Sequence, residues 1–208
     1  MNTRSKEETF EEEKKIITKE ILREEIKSKR KEMTREEIEE KSKLIKEKLF
    51  SLPEFQSAHT VAFYVAYKES NEVETIEMIQ ESLKMNKRVL VPITDLLENK
   101  IVFSEITSID DLASGAFGIL EPIPELRKIL PYESIRLITV PGIVFDLHGH
   151  RIGHGLGFYD KFLSQLTKYV TKIGLAFELQ TVEKLPNEDY DKKLDKIITE
   201  DRIIDCKE

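Results

Sequence analysis

Between Val140 and Leu163 the chain reads VPGIVFDLHGHRIGHGLGFYDKFL, an apolar strand-like run, then Gly149, Gly153, Gly155 and Gly157 spaced among charged residues, then an amphipathic helix start. Four of the chain's eight glycines fall within these nine residues, which argues against a merely structural turn. Closely spaced glycines let backbone N–H groups approach a ligand and take conformations that a side chain forbids. A following helix adds unpaired N–H donors and a positive dipole end. The expected ligand is an anion, and a phosphate above all. A loop of the G-x-x-x-x-G-K-[ST] type needs Lys-Ser or Lys-Thr after its last glycine, whereas Phe158, Tyr159 and Asp160 follow here. The dinucleotide-fingerprint spacing is absent as well.

Each candidate residue also has a plainer reading. Lys19 and Arg23, at i and i+4, project from one helix face, which alone is more often a solvated face than a phosphate clamp. Asp160 can cap its helix or serve a metal, and the two roles are compatible. His148, His150 and His154 fall within seven residues and raise the option of a zinc or transition-metal site. Such sites assemble three or four ligands on fixed elements, so a glycine loop favours the other reading, with His148 and His150 at the exposed end of the loop.

With 208 residues and no Ser/Gly/Pro-rich linker, the chain is expected to form one domain over residues 1–208. The Lys- and Glu-rich first fifteen residues are a candidate for disorder. A net charge of −7 opposes broad nucleic-acid binding, which needs a basic field, so an anion must be held by a local basic cluster. No stretch reaches the roughly 20 apolar residues that span a bilayer, and the N-terminus lacks a signal peptide's apolar core. A cytoplasmic protein with no membrane partner is expected. The single cysteine, Cys206, cannot form an intrachain disulfide, which suits a reducing compartment.

The elements that must carry these residues follow from periodicity. Leu22, Ile26 and Met33 keep helical spacing, with a stop near Met33. Thr34 to Glu37 has the form of a capping box, opening a helix that carries Ile38, Ile45 and Leu49 inward and ends before Pro53. Val61–Val65 reads as a strand, Thr75–Asn86 as a helix and Arg88–Val91 as a strand. A strand near Ile101–Ile106, a Pro-rich loop over Gly115–Pro131 and the strand Leu137–Val140 come next. The helix after the glycine loop presents Phe162, Leu166 and Val170, and Ile173–Phe177 and Leu194–Thr199 return as apolar segments. Alternating strands and helices predict an α/β fold of three αβα layers, a mostly parallel sheet with helices on both faces. Ligands of such sheets sit beyond the carboxyl ends of the strands, where the glycine loop falls.

At this loop the chain resembles the 5-formyltetrahydrofolate cyclo-ligase family. Lys19-Glu20-Ile21-Leu22-Arg23 is similar to the family's K-x-x-x-R nucleotide clamp, Glu72-Val73-Glu74-Thr75 to its E-[VI]-[DE]-T segment, and Phe117-Gly118-Ile119 with Glu121-Pro122 to its folate segment. Val140-Pro141-Gly142 through Tyr159-Asp160 resembles its longest signature. Leu175-Ala176-Phe177, Gln180, Pro186, Glu188, Asp191, Asp195 and Thr199-Glu200 complete the order, so the match covers nearly all of the chain after residue 18. The resemblance implies an ATP- and Mg2+-dependent ligase: ATP phosphorylates the formyl oxygen of 5-formyltetrahydrofolate, a neighbouring nitrogen attacks the activated carbon, and phosphate leaves, giving 5,10-methenyltetrahydrofolate, ADP and phosphate.

It also implies roles. Arg151 and Asp160 would be catalytic, with Asp160 on the metal, and Lys19, Arg23, Arg151, Gly153, His154, Gly155, Leu156, Gly157, Phe158 and Tyr159 would hold the nucleotide. Val65, Tyr67, Glu72, Phe117, His154, Phe158 and Tyr159 would hold the folate, and the chain would act as a monomer on this small molecule alone. The chain departs from the family at His154, where arginine is usual, at Leu156 and at Phe158, and it carries two extra residues around Lys68–Asn71. A histidine is fully charged only below a pKa near ~6.5, whereas arginine is always cationic and bidentate. The alternative from another class is therefore a non-catalytic folate- or nucleotide-binding relative.

Overall fold

The computed structural model describes residues 6–186 and 192–206, with side chains described from Ile16 onward, Ile17 excepted. Glu188 and Asp191 of the expected pattern lie outside the described residues. The chain opens with α1 (Lys6–Lys31) and α2 (Arg35–Ser51). The capping box forms as its spacing predicts: Glu37 N–H donates to Thr34 Oγ1 at 3.2 Å and Thr34 N–H donates to Glu37 Oε2 at 2.8 Å. Pro53 ends α2 by opening α3 (Pro53–Ser57), where its missing N–H is no loss.

Next come β1 (Thr60–Ala62), α4 (Ile76–Lys84), β2 (Arg88–Asp95), β3 (Lys100–Ile106), β4 (Leu112–Ser114), β5 (Leu120–Pro122), β6 (Lys128–Ile129) and β7 (Leu137–Val140). The last third holds β8 (Val144–Asp146), β9 (Arg151–Ile152), α5 (Phe158–Leu163), β10 (Thr171–Leu175), β11 (Thr181–Val182), β12 (Lys196–Ile198) and β13 (Ile203–Asp205). The main sheet runs β13-β12-β10-β7-β1-β2-β3-β6. Its centre, β12-β10-β7-β1-β2, is parallel, and the outer strands β13, β3 and β6 are antiparallel, so the sheet is mixed.

The pleat divides the core. Val61, Val89, Leu137, Ile173 and Ile198 join Ile38, Ile45 and Leu49 of α2 and Met78 and Ile79 of α4. Their strand neighbours Ala62, Leu90, Ile138 and Ile197 join Phe162 and Leu163 of α5. Successive strand residues point to opposite faces, which is why one short apolar run serves both clusters.

Three local expectations are corrected. The strand expected over Val61–Val65 is regular only through Ala62; Phe63 N–H still donates to Leu90 O of β2 at 2.9 Å, and the residues after it leave the sheet toward the site. The helix expected to carry Leu166 and Val170 ends at Leu163. Gln165 N–H and Leu166 N–H bond three residues back, to Phe162 and Leu163, a tighter turn that does not continue the helical ladder. The Pro-rich segment over Gly115–Pro131 is not all loop: β4 pairs β5, and β6 adds to the edge at β3. Strands of two or three residues carry no periodic pattern, so their pairing comes from tertiary contact.

Candidate active site

Two turns and one helix face build the site. After β7 the chain makes a small three-stranded sheet, β11-β8-β9, whose hairpin turn is tied by Asp146. Its buried carboxylate accepts from the N–H groups of His148 and His150 at 2.9 Å each and from Leu185 N–H at 2.9 Å, and it meets His150 Nδ1 at 3.0 Å. His150 is therefore buried, contrary to its expected exposed place, while His148 is exposed. Gly149 belongs to this turn. Its φ is +88°, and a Cβ there would stand 2.6 Å from Leu194 O. Of the four clustered glycines it alone does not line the cavity, so the anion cradle reduces to Gly153, Gly155 and Gly157.

These three are open. Nothing stands within 4 Å of where a Cβ on Gly153 or Gly157 would lie, and only Arg23 Nη2, at 3.9 Å, approaches Gly155. Gly157, with φ +70°, leads into α5 with no side-chain cap. At six residues α5 is too short to contribute much dipole, which corrects the expected share of the helix in anion binding. Asp160 does not cap it. Its Oδ1 lies 3.0 Å from Arg151 Nη1.

Helix α1 supplies the other wall. Ile26 is buried against Ile143, Val144, Ile152 and Leu185, with Leu22 packed alongside, which turns Lys19 and Arg23 to the cavity. Arg23 Nε donates to Gly153 O at 3.0 Å, tethering helix to loop. The segment leaving β1 forms the third wall. Lys68–Ser70, the stretch expected to carry two extra residues, makes a 3-10 turn closed by Asn71 at φ 48°. Glu72, next in the chain, is buried, its Oε2 accepting Tyr67 N–H at 2.9 Å and its Oε1 lying 3.3 Å from His154 Nε2. Glu74 points elsewhere, to Arg35 at 2.6 Å.

The walls enclose a cavity of about 460 Å³ beyond the carboxyl ends of β1, β2 and β7. Lys19, Arg23, Val65, Tyr67, Glu72, Phe117, Arg151, Gly153, His154, Gly155, Leu156, Gly157, Phe158, Tyr159 and Asp160 all line it. Phe117 stands at the rim, 56% exposed, with an unusual positive φ of 57°. Sequence reasoning gave no site role to Tyr64, Ser70, Pro92, Thr94 and Ile101, nor to Ile119, Glu121, Pro141 and Ile152, which stand in the quoted motifs. Glu121 is buried: Thr94 N–H donates to its Oε1 at 2.9 Å, and Arg127 Nη2 is 3.9 Å from its Oε2. Its motif was the available signal, whereas Pro92 and Thr94 lie on a strand longer than its apolar run.

The other motif residues build the frame. Gln180 Nε2 donates to Gly142 O and Ile143 O at 3.0 Å each, and Glu200 accepts from Lys41 and from Glu178 N–H. Two buried groups at the cavity are unsatisfied: Arg151 Nε and Tyr159 Oη have no hydrogen-bond partner among the described residues. Burial first, then the Glu72 carboxylate, pushes the Tyr159 hydroxyl well above the ordinary tyrosine range, so it remains a donor.

The 5-formyltetrahydrofolate cyclo-ligase family model matches residues 15–200. The chain belongs to the 5-formyltetrahydrofolate cyclo-ligase family. It is 30% identical over 158 residues to the 5-formyltetrahydrofolate cyclo-ligase of Escherichia coli K12, covering 75% of this chain and 86% of that one. It is 31% identical over 173 residues to a probable 5-formyltetrahydrofolate cyclo-ligase of Caenorhabditis elegans, covering 78% and 83%. The solved structure of Aquifex aeolicus 5,10-methenyltetrahydrofolate synthetase superposes with a TM-score of 0.80 at 33% identity, covering 91% of this chain and 93% of that one. Cyclo-ligases use ATP and Mg2+, and folate chemistry is the family's work. The residues here fit that need: an open glycine cradle, a buried guanidinium with a spare N–H, and hard carboxylate oxygen beside it.

Proposed function

We propose that this cavity binds 5-formyltetrahydrofolate and Mg2+·ATP together and performs the family's ring closure to 5,10-methenyltetrahydrofolate with release of ADP and phosphate. The observation that carries the proposal is the convergence of a cationic set (Lys19, Arg23, Arg151) and a pterin-sized set (Val65, Tyr67, Glu72, Phe117) on one enclosed space. Its volume lies within the range of small-molecule sites. When bound, Mg2+·ATP supplies the phosphoryl group that activates the formyl oxygen.

The chain's own residues then bind and position. Lys19, Arg23 and the N–H groups around Gly153, Gly155 and Gly157 cradle phosphate oxygens, together with the backbone of His154, Leu156, Phe158 and Tyr159. Arg151 offers charge where negative charge builds up, and its buried Nε needs no reorganisation to donate. Asp160 would hold Mg2+ through its carboxylate. Glu72 accepts from pterin N–H groups, with His154 as its present neighbour, and Phe117, Phe158 and Tyr159 flank the ring.

The fold supports reading the chain as one domain of three layers, with α2 and α4 on one face of the sheet and α5 on the other. Among the described residues no helix is long and apolar enough to cross a membrane. We place the protein in the cytoplasm as a monomer without nucleic-acid or membrane partners. The test of the function is direct: the conjugated methenyl product absorbs in the near ultraviolet, and its appearance should require both ATP and Mg2+. Absence of that band with active-site-competent, folded protein would reject the reading.

A further inference from the structure

The hairpin of β4 and β5 brings a further buried carboxylate to the cavity. Glu121 of β5 is 6% exposed and lines the space beside Pro92, Ile101 and Ile119, on a wall that is otherwise largely apolar. Its two oxygens have different surroundings. Oε1 accepts Thr94 N–H at 2.9 Å, where β2 runs on past its pairing with β1, which ends at Leu90. Oε2 accepts no hydrogen bond among the described residues, and Arg127 Nη2, from outside the cavity lining, stays 3.9 Å away. A buried carboxylate oxygen is costly to leave without a donor. The backbone is shaped around this side chain: a Cβ on Gly115 would stand 2.6 Å from Glu121 Cγ and 2.7 Å from its Cδ, so the glycine leaves the room that the carboxylate fills. The same hairpin holds Phe117 at its turn, and a Cβ on Gly118 would lie 3.6 Å from the ring of Tyr67, the residue whose N–H Glu72 accepts. The hairpin thus meets the segment that carries Glu72.

We propose that Glu121 is a second substrate-binding carboxylate, whose Oε2 accepts from N–H groups of the reduced pterin while Oε1 stays on Thr94. The Thr94 bond fixes the carboxylate before substrate arrives, and apolar neighbours strengthen a charge-assisted bond made there. Acceptors on two walls hold a planar ring against rotation, which one carboxylate cannot do, and rotation would carry the formyl oxygen away from the phosphoryl donor. Glu121 also sets specificity: a heterocycle that presents acceptors at this edge leaves the carboxylate unpaired and is rejected.

The inference rests on the reading of the cavity as the folate site, and direct binding separates the two. Calorimetric titration of the wild-type protein with 5-formyltetrahydrofolate tests the site: no binding rejects that reading and this inference with it. Given binding, Glu121→Gln keeps an oxygen for Thr94 N–H and puts an NH2 group in place of the free oxygen. Its affinity for 5-formyltetrahydrofolate is expected to fall about tenfold, with the KM for ATP and the melting temperature nearly unchanged. Gly115→Ala leaves the carboxylate in the chain but pushes it from its place, and folate affinity should fall in the same direction. A carboxylate that only braces β2 predicts otherwise. Wild-type folate affinity in Glu121→Gln overturns the inference while the site reading stands, and so does a loss shared equally by folate and ATP or confined to ATP. Should Glu121→Gln fail to fold, Gly115→Ala decides, and unchanged folate affinity there rejects the role.

Discussion

Arg151 and Asp160 hold each other, Nη1 to Oδ1 at 3.0 Å, with the guanidinium 4% exposed and the carboxylate 55% exposed. A pair this lopsided contributes little to folding, because water screens its exposed half. It does set a cation and a carboxylate next to one another in the cavity that Gly153, Gly155 and Gly157 line.

Breaking that pair should be read in turnover. Arg151→Ala is expected to lower kcat on the order of 10²-fold and to raise the KM for ATP. Asp160→Asn should raise the Mg2+ concentration needed for half-maximal rate, with the melting temperature nearly unchanged. Equal Mg2+ titrations for wild type and Asp160→Asn would remove Asp160 from the metal.

Tyr159→Phe separates stability from binding. The buried hydroxyl has no hydrogen-bond partner among the described residues, so its removal should stabilise the protein without substrate by about 1 kcal/mol. The same change takes away a donor from the cavity, and substrate affinity should fall. Calorimetric unfolding with and without 5-formyltetrahydrofolate checks both signs; a variant both less stable and equally tight would refute the orphan-donor account.

Two glycines of the same motif should behave oppositely. Gly149→Ala places a Cβ 2.6 Å from a backbone oxygen at φ +88°, and a loss of roughly 1–3 kcal/mol of stability is expected. Gly153→Ala meets open space and should leave stability nearly intact while weakening ATP binding. Chemical denaturation and ATP KM measured on both variants decide this, and similar effects at the two positions would contradict the division of the loop.

Cys206 gives a pH signature. Burial first, then Asp146, pushes its thiol from 9.0 up to about 11. The unfolded thiol ionises first, so the native state loses stability as pH rises from about 9, with no further loss from this group above about 11. Cys206→Ser should flatten that alkaline limb. In native protein, iodoacetamide labelling should stay slow at neutral pH and accelerate through the same window.

Much was legible locally. The capping box at Thr34, the bounds Leu137–Val140 of β7 and the inward face of α2 depend on residues a few positions apart, and each stands where its pattern puts it. The residues expected at the site also line one cavity, because the glycine segment and the K-x-x-x-R helix carry distinctive types at short spacing. The helix after Gly157 was overextended because Leu166 and Val170 keep a helical period, while the half-buried place of Leu166 and the buried place of Val170 are reached through a turn. The strands β9 and β11 were missed because two residues show no period at all.

Taken alone, the amino-acid order determined the family, the α/β class and the identity of the chemical groups, since these follow from composition, local periodicity and motif. Only the tertiary structure decided who meets whom. Arg23 reaches Gly153 across 130 positions and His154 reaches Glu72 across 82, and such pairings arise where α1 and the post-β1 turn are packed against the glycine loop. The same packing removed Gly149 from the cradle and buried His150 on Asp146. Local pattern specifies which face of an element is buried, and the partner on that face is chosen by the whole core at once.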